Sequence, residues 1–298
     1  MAARRLSARA RGARPLRRAL PRLRRRPLGR PPARRARPGG GRVMHWRDVL
    51  CRRRKRLLQG VGLDRGWFRE LSEYYRGLTR QEFWIRYTIG RMEAARLWER
   101  KARTTEADYR AFYAETDYWV LRQMYYHRSD CFHFVAAAMR RAGRAGDFCE
   151  YGCGVAPITA WLRPRFPGWR YTLVDLPSPT LDFARWRFRR FANVEAREPG
   201  LGADLPLTRD YDAIACLEVL EHVINPLEVV RHLVAHLKPG GALFVNFVDE
   251  PGGDENLLES AAQRGETIEH LNRELRAVAP LHVNGPDVVH GHYVKPVG

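Results

Sequence analysis

The sequence predicts an α/β fold: a doubly wound, mostly parallel sheet of seven strands with helices on both faces. From about residue 130 onward, short apolar runs alternate with helical stretches, and this alternation is typical of parallel strands joined by right-handed crossovers. A turn with two glycines, Gly152 and Gly154, follows the first of these runs. Upstream, aromatic residues recur at spacings of three and four over 44–128, which predicts an N-terminal helical segment. Most of these rings are expected to pack against the main domain, and the segment is expected to cap a substrate pocket, which some of the rings could line.

The individual elements are predicted from local apolar runs and their boundaries. Strands are expected at 147–151, 169–175, 193–197, 211–217 and 242–248, with two more near 280–284 and 290–295. Helices are expected at 130–142, 158–162, 180–191, 227–237 and 256–277. The Lys-Pro-Gly-Gly run at 238–241 is typical of a helix stop followed by a turn. The order of these elements is that of a parallel sheet flanked by helices.

A basic tail at residues 1–43 differs in composition from the rest of the chain. Residues 1–42 hold 16 arginines, six prolines and no acid, so the remainder carries about +4 of the net charge of +20. So few large apolar residues cannot offset the entropy of ordering, and the tail is predicted to be disordered. Three interpretations stay open: a polyanion-binding segment, a targeting peptide, and an over-extended reading frame whose start is Met44, which we favour.

Composition also excludes several classes of protein. No apolar stretch approaches the 18 residues of a membrane-spanning helix, and no signal-peptide core is visible. The five cysteines are dispersed at 51, 131, 149, 153 and 216. This spacing fits neither a zinc pair nor an iron–sulfur cluster. We therefore expect no metal site, a reducing compartment and a cytoplasmic location.

The glycine turn carries the strongest chemical signal. It reads Glu150-Tyr-Gly152-Cys-Gly154-Val-Ala156, and its glycines allow a sharp turn and close approach of a ligand. The pattern G-x-G-x-A departs from the dinucleotide motif G-x-G-x-x-G. A carboxylate two residues before the first glycine suits a cationic ligand and would repel a pyrophosphate. Both features argue against a dehydrogenase.

Asp175 ends the second predicted strand, 23 residues after Gly152. An acid at about that distance hydrogen-bonds ribose hydroxyls in nucleotide-binding sheets, and a carboxylate can accept both hydroxyls of a diol. Leu176 follows, where it can pack on an adenine face. The alternative for Asp175 is a loop acid that caps a helix.

Five segments together resemble the class I S-adenosylmethionine-dependent methyltransferases over about residues 130–250. They are residues 150–156, Val174-Asp175, Tyr211-Asp212, 217–223 and 237–241. The stretch Leu-Glu-Val-Leu-Glu-His-Val at 217–223 is most similar to the small-molecule branch that includes ubiquinone-type methyltransferases. The acidic turn that the family carries after the third strand is not clearly recognisable here, and in this the sequence departs from the family pattern. The resemblance implies a Rossmann-like methyltransferase domain at 129–298.

The resemblance implies S-adenosylmethionine as cofactor, with contacts from Glu150, Gly152, Gly154, Ala156, Asp175, Leu176, Asp204, Leu205, Cys216 and Leu217. The glycine loop would approach the methionine portion, while Glu150 organises the turn and favours the cation. Asp175 would hold the ribose, and Asp204-Leu205 the adenine. The backbone at Cys216-Leu217 would accept a hydrogen bond from the amino group.

The general base is expected to be His222, because histidine removes a phenolic proton near neutral pH. The alternative is that His222 only packs the start of a helix. A divalent-ion site of Glu218, Glu221 and His222 is disfavoured, since neighbours 221 and 222 cannot point the same way. Other candidates are Asp249 and Glu250 on the substrate side and the His290/His292 pair, which lacks an evident third metal ligand.

These residues predict transfer of a methyl group to an oxygen, nitrogen or carbon of a small-molecule acceptor by in-line displacement. One alternative is a nucleic-acid methyltransferase that uses the basic tail for phosphate contacts. Against it, no Asn/Asp-Pro-Pro-aromatic motif follows the fourth strand, which continues Leu217-Glu218. The other is a non-catalytic cofactor-binding scaffold. The acceptor and the oligomeric state stay open.

Overall fold

One mixed sheet organises the part of the chain that the structure describes. The computed structural model describes residues 66–100, 105–128, 130, 132–199, 205–247, 257–279 and 291–298. The basic tail at 1–43 lies outside these residues, and its predicted disorder stays a prediction. Within them the strands are β1 (Asp147–Tyr151), β2 (Arg170–Val174), β3 (Val194–Arg197), β4 (Tyr211–Cys216), β5 (Leu237–Val245), β6 (Arg276–Ala279) and β7 (Gly291–Val294).

The strand order of these described residues is β3-β2-β1-β4-β5-β7-β6. Strands β1 to β5 pair in parallel, whereas β7 runs antiparallel to both β5 and β6. The chain moves outward from β1 to β3 and then returns to the other side of β1 as β4. This reversal makes the carboxyl ends of β1 and β4 a topological switch point, where open α/β sheets bind ligands.

Helices cover both faces of the sheet, which confirms the doubly wound fold class. The helices of this part are α5 (His133–Ala142), α6 (Pro157–Leu162), α7 (Pro179–Phe188), α8 (Pro226–Ala235) and α9 (Leu258–Glu274). Alternate residues of β4 face opposite cores: Ile214 packs with residues of α8 and α9, and Ala213 packs with residues of α5 and α6. Strands buried on both faces carry apolar side chains at successive positions.

Among the described residues, four helices precede the sheet: α1 (Gly66–Tyr74), α2 (Arg80–Arg100), α3 (Glu106–Ala114) and α4 (Tyr118–Tyr126). We call the described residues 66–100 and 105–128 the helical segment. Its aromatic rings pack edge to face, with ring centroids 5.2 Å apart for Trp67 and Phe83. Tyr74 also contacts Phe183 of α7 at 4.9 Å. Core packing between these helices and the sheet domain therefore explains these rings.

Two local predictions differ from the structure. The run 238–241, predicted as a turn, lies inside β5, where Tyr211 pairs with Leu237 and Ala213 pairs next with Ala242. The extra residues bulge out, with Gly240 at φ +76°, because a bulge accommodates residues that have no partner on the facing strand. Strand β6 begins at Arg276, soon after α9 ends at Glu274, whereas the sequence predicted a strand near 280–284, outside the described residues.

Candidate functional site

The glycine loop, residues 152–156, connects β1 to α6 at the switch point. Its backbone is left-handed at Gly152 (φ +68°), Gly154 (φ +51°) and Ala156 (φ +52°). A Cβ atom on Gly152 would lie 2.2 Å from Cγ2 of Val219, which follows β4. The amide of Ala156 donates to the carbonyl of Cys153 at 2.7 Å and closes the turn. Glycine at position 152 is therefore required by both conformation and space.

Glu150 fixes the start of the helix that follows the loop. Its carboxylate accepts hydrogen bonds from the amides of Ile158 (3.0 Å) and Thr159 (2.7 Å). These amides lie in the first turn of α6, and the N-cap residue Ala156 provides no side-chain acceptor. Glu150 is 3% exposed, and burial raises its pKa to about 7. A strand residue thus supplies the cap that the helix lacks.

Asp175 follows β2 and points its carboxylate at the glycine loop. It accepts hydrogen bonds from the amide of Gly154 and, at 2.7 Å, from the amide of Leu176. Desolvation raises the pKa of this half-buried carboxyl to about 6. The predicted helix-capping alternative is not what these contacts describe, because the N-cap of α7 is Ser178, whose hydroxyl accepts from the amide of Leu181. The structure brings the predicted acid and the glycine loop together.

Two side chains that the sequence did not single out also hold the glycine loop. The amide oxygen of Gln123, on α4, accepts from the Val155 N–H at 3.0 Å. A Cβ atom on Gly154 would lie 2.0 Å from that oxygen, so Gln123 occupies the space that the glycine leaves. Arg187 of α7 donates to the Val155 carbonyl at 2.9 Å and pairs with Glu70 of α1 at 2.7 Å. The helical segment therefore contributes directly to the loop.

The carboxyl ends of β4 and β5 are joined by Asn246, which is 1% exposed. Its side-chain oxygen accepts a hydrogen bond from the backbone amide of Glu218 at 2.6 Å. Its backbone N–H donates to the Cys216 carbonyl at 3.4 Å. These bonds hold Glu218 in a left-handed conformation, with φ +58°. An asparagine at the end of an apolar strand was the available signal for this residue. The predicted Cys216-Leu217 backbone lies at the switch point, beside this contact.

The remaining predicted residues are placed as follows. His222 ends a short 3-10 helix, Leu220–His222, after β4, and its side chain is half-buried. Leu205 is half-buried in the loop between β3 and β4, whereas Asp204, Asp249, Glu250 and His290 lie outside the described residues. His292 stacks on Phe244 with ring centroids 4.6 Å apart, and burial lowers its pKa to about 4. It therefore packs in the core of the sheet.

Among the residues described, no group of three His, Cys, Asp or Glu side chains is arranged to hold a metal ion. The buried thiols of Cys149 and Cys153 have raised pKa values because they are desolvated, so they are protonated thiols and poor metal ligands. Within the same residues, no helix is long and apolar enough to cross a membrane.

The switch point of this parallel sheet carries a left-handed glycine loop after β1 and an acid after β2. These two features are typical of α/β proteins that bind a nucleoside-containing cofactor. The profile of a family described as "Methyltransferase domain" matches residues 121–279, which is more than half of the chain. The chain belongs to this family. Membership confirms the resemblance to class I S-adenosylmethionine-dependent methyltransferases and the predicted cofactor, S-adenosylmethionine.

Similarity to individual proteins is more limited in extent. The chain is 31% identical over 124 residues to the ubiquinone biosynthesis O-methyltransferase of Xanthomonas campestris pv. campestris (strain B100), covering 38% of this chain and 46% of that protein. The corresponding enzyme of Marinobacter nauticus is 31% identical over 104 residues, with 34% and 43% covered. The chain thus spans about half the length of the curated relatives that it matches.

Among solved structures, the chain is similar to an O-methyltransferase family protein from Burkholderia thailandensis. The TM-score is 0.49 at 15% identity, covering 76% of this chain and 75% of the other.

Proposed function

We propose that this protein transfers the methyl group of S-adenosylmethionine to a small-molecule acceptor by in-line displacement. One observation carries the proposal: Asp175 and the glycine loop meet at the switch point in a chain that belongs to a methyltransferase family. The acceptor class follows the relatives, which are named ubiquinone biosynthesis O-methyltransferases. Bound S-adenosylmethionine supplies a methyl group on a positively charged sulfur, which is an activated leaving group.

The residues present fit this cofactor. Asp175 is a half-buried carboxyl next to the glycine loop, and a carboxylate there suits the ribose diol. Leu176 is the neighbouring apolar side chain for the adenine, and Asp204-Leu205 stay the predicted second adenine contact. Gly152, Gly154 and Ala156 let the backbone approach the methionine portion, and the Cys216-Leu217 backbone accepts from its amino group. Glu150 holds the loop in place by capping α6.

In this proposal the chain acts mainly by positioning. The left-handed loop fixes the direction from which the cofactor enters, and the helical segment encloses the acceptor so that the reacting atoms are held in line. His222 is the base candidate that follows from the sequence, since it lies just beyond β4. A base is needed only where the acceptor loses a proton during transfer.

The proposal is tested by calorimetric titration of S-adenosylhomocysteine and S-adenosylmethionine into the full chain, with NADH as the control ligand. We expect micromolar binding of the first two and none of NADH. Asp175→Ala should weaken S-adenosylhomocysteine binding by about 10- to 100-fold, the loss expected for hydrogen bonds to a charged group. The matched control is Asp182→Ala, an exposed acid on α7 that pairs with Arg185. Absence of binding to the wild-type chain would contradict the proposal.

Two alternative functions and two other predictions stand beside this proposal. If removal of residues 1–43 abolishes RNA or DNA affinity while small-molecule turnover persists, the tail is incidental to the chemistry. A scaffold without catalysis predicts cofactor binding with no turnover of any acceptor. The cytoplasmic location and the boundaries at 43/44 and 128/129 also stay predictions.

A further inference from the structure

A histidine–aspartate pair lies just beyond α4, where the helical segment ends. Nδ1 of His127 is 2.7 Å from a carboxylate oxygen of Asp130. The side chains are 25% and 20% exposed, respectively. The amide of Asp130 also donates to the His127 carbonyl at 3.1 Å, so backbone and side chain hold the two residues together. Nε2 of His127 makes no hydrogen bond to any residue that the structure describes.

This arrangement fixes one tautomer of the imidazole. A carboxylate only accepts hydrogen bonds, so the neutral ring of His127 must carry its proton on Nδ1, facing Asp130. Nε2 then presents its lone pair outward. An imidazole held this way by a carboxylate is the arrangement that general bases use in acyl transfer, where the carboxylate also stabilises the imidazolium that forms.

Along the chain, the pair lies between Gln123, which contacts the glycine loop, and His133, which contacts the helix after that loop. Gln123, one helical turn earlier, contacts the glycine loop, and residues four apart on a helix have Cβ atoms about 6 Å apart on the same face. The His127 amide donates to the Gln123 carbonyl at 2.9 Å, which continues the helical turn. On the other side, the His133 ring is 4.9 Å from Trp161 of α6, the helix that follows the glycine loop. The end of α4, one turn before His127, is therefore held against the glycine loop through Gln123.

We infer that His127, oriented by Asp130, takes the proton of a hydroxyl acceptor during methyl transfer. This inference rests on the proposed function and names its acceptor atom as oxygen. The acceptor proton passes to Nε2 of His127, and an oxygen electron pair forms the new bond to the methyl carbon. The electrons of the broken carbon–sulfur bond stay on sulfur. The imidazolium then returns its proton to water.

The assignment of oxygen follows from the need for a base. A neutral amine attacks with its own lone pair and can lose its proton after transfer, whereas a phenol or alcohol is a weak nucleophile until its proton is removed. A built imidazole–carboxylate pair is therefore useful for an O–H acceptor and dispensable for an amine. His127 is thus an alternative base to His222, the candidate that follows from the sequence.

The first test reads the tautomer without any acceptor. The full chain with ¹⁵N-labelled histidine is studied by two-bond ¹H–¹⁵N NMR at a pH at which the ring is neutral. The spectra should show His127 protonated on Nδ1. Asp130→Asn should shift the ring toward the Nε2-protonated form that predominates in water. An Nε2-protonated His127 in the wild-type chain would overturn the inference, because the lone pair would then face Asp130.

The second test measures turnover with probes: catechol, phenol and 3,4-dihydroxybenzoate, each beside the corresponding aromatic amine. We expect methylation of hydroxyl probes. His127→Ala should lower kcat by about 100-fold or more with S-adenosylhomocysteine binding unchanged, and added imidazole should restore part of the rate. Asp130→Asn should lower kcat and leave KM unchanged. The matched control is His236→Gln, at the histidine that directly follows α8.

Each outcome of these two tests either supports or overturns the assignment of His127. Turnover of His127→Ala within about threefold of wild type, or methylation of the amines alone, overturns the inference while the proposed function stands. Imidazole rescue supports His127, because a purely structural histidine would not be replaced by the free base. If the wild-type chain fails to bind S-adenosylhomocysteine, the proposed function itself fails. If it binds and no hydroxyl probe reacts, the tautomer measurement alone decides.

Discussion

The strand side and the helical side of the glycine loop are built from different kinds of contact. On the strand side, Glu150 near the end of β1 and Asp175 just after β2 accept hydrogen bonds from nearby backbone amides. On the helical side, Gln123 of α4 and Arg187 of α7 contact the same loop, and Arg187 also pairs with Glu70 of α1. The comparison teaches that the loop belongs to both parts of the fold. A cofactor domain defined by the sheet alone would leave one side of the loop without its partners.

The largest effect is expected from a substitution that disrupts the conformation of the glycine loop. Gly152→Ala places a Cβ atom 2.2 Å from Val219 on a backbone with φ +68°. Left-handed strain and overpacking should together lower the free energy of unfolding by about 4 kcal/mol. Urea denaturation measures this loss, and calorimetry measures the accompanying loss of S-adenosylhomocysteine binding.

The matched control is Gly265→Ala in α9, where a Cβ atom would meet nothing within 4 Å. Because alanine is the better helix former, this variant should be more stable by about 0.5–1 kcal/mol. A Gly152→Ala protein as stable as wild type would show that Val219 moves aside and that the loop does not depend on this glycine.

The two sides of the loop also differ in how far they could be predicted from sequence. Strand β1 was predicted at 147–151 and lies at Asp147–Tyr151, because an apolar run that ends in a glycine turn is a local signal. Asp175 was predicted from the same kind of local signal, because it directly follows the apolar run of β2. Gln123 was missed because a polar residue on an aromatic-rich helix has no periodic signal. Its partner, Val155, is 32 residues away, and only the packing of α4 brings them together.

The next effect is a pH dependence of stability on the strand side. The Glu150 pKa is raised by burial to about 7, above its ordinary value of 4.5. The unfolded chain therefore loses this proton first, and the free energy of unfolding should fall as the pH rises from about 4.5 to about 7. A shift of this size corresponds to about 3 kcal/mol. Urea unfolding at pH 5 and pH 8 measures the fall.

Glu150→Gln should reduce this dependence, since the substituted amide does not titrate, and the part that remains is expected from Asp175, whose pKa is also raised, to about 6. The variant also loses one of the two acceptors for the α6 amides. Glu259→Gln, an exposed residue of α9, serves as control and should keep the wild-type profile. If Glu150→Gln and wild type lose the same stability between pH 5 and pH 8, the buried carboxyl is not the group that titrates.

A smaller effect is expected from the helical side. Gln123→Ala leaves the Val155 amide without the acceptor that it has at 3.0 Å, and a buried donor without a partner costs about 1–3 kcal/mol. We expect a loss of about 1–2 kcal/mol and weaker S-adenosylhomocysteine binding. Gln263→Ala is the control, because the side chain of Gln263 in α9 also bonds to the backbone, although as a donor to the Ile224 carbonyl at 2.9 Å. Equal binding by both variants would show that α4 does not support the cofactor edge.

The smallest effect concerns the Glu70–Arg187 pair, and it separates attachment of α1 from support of the loop. Arg187 makes both contacts, to Glu70 at 2.7 Å and to the Val155 carbonyl at 2.9 Å. A double-mutant cycle with Glu70→Gln and Arg187→Lys should give a coupling energy of about 0.5–1 kcal/mol, since the pair is partly exposed. Lysine keeps the charge but cannot make the two directed contacts of the guanidinium. If Arg187→Lys weakens cofactor binding and Glu70→Gln does not, the arginine supports the loop independently of α1. If both weaken binding equally and without additivity, the two helices hold the loop as one unit.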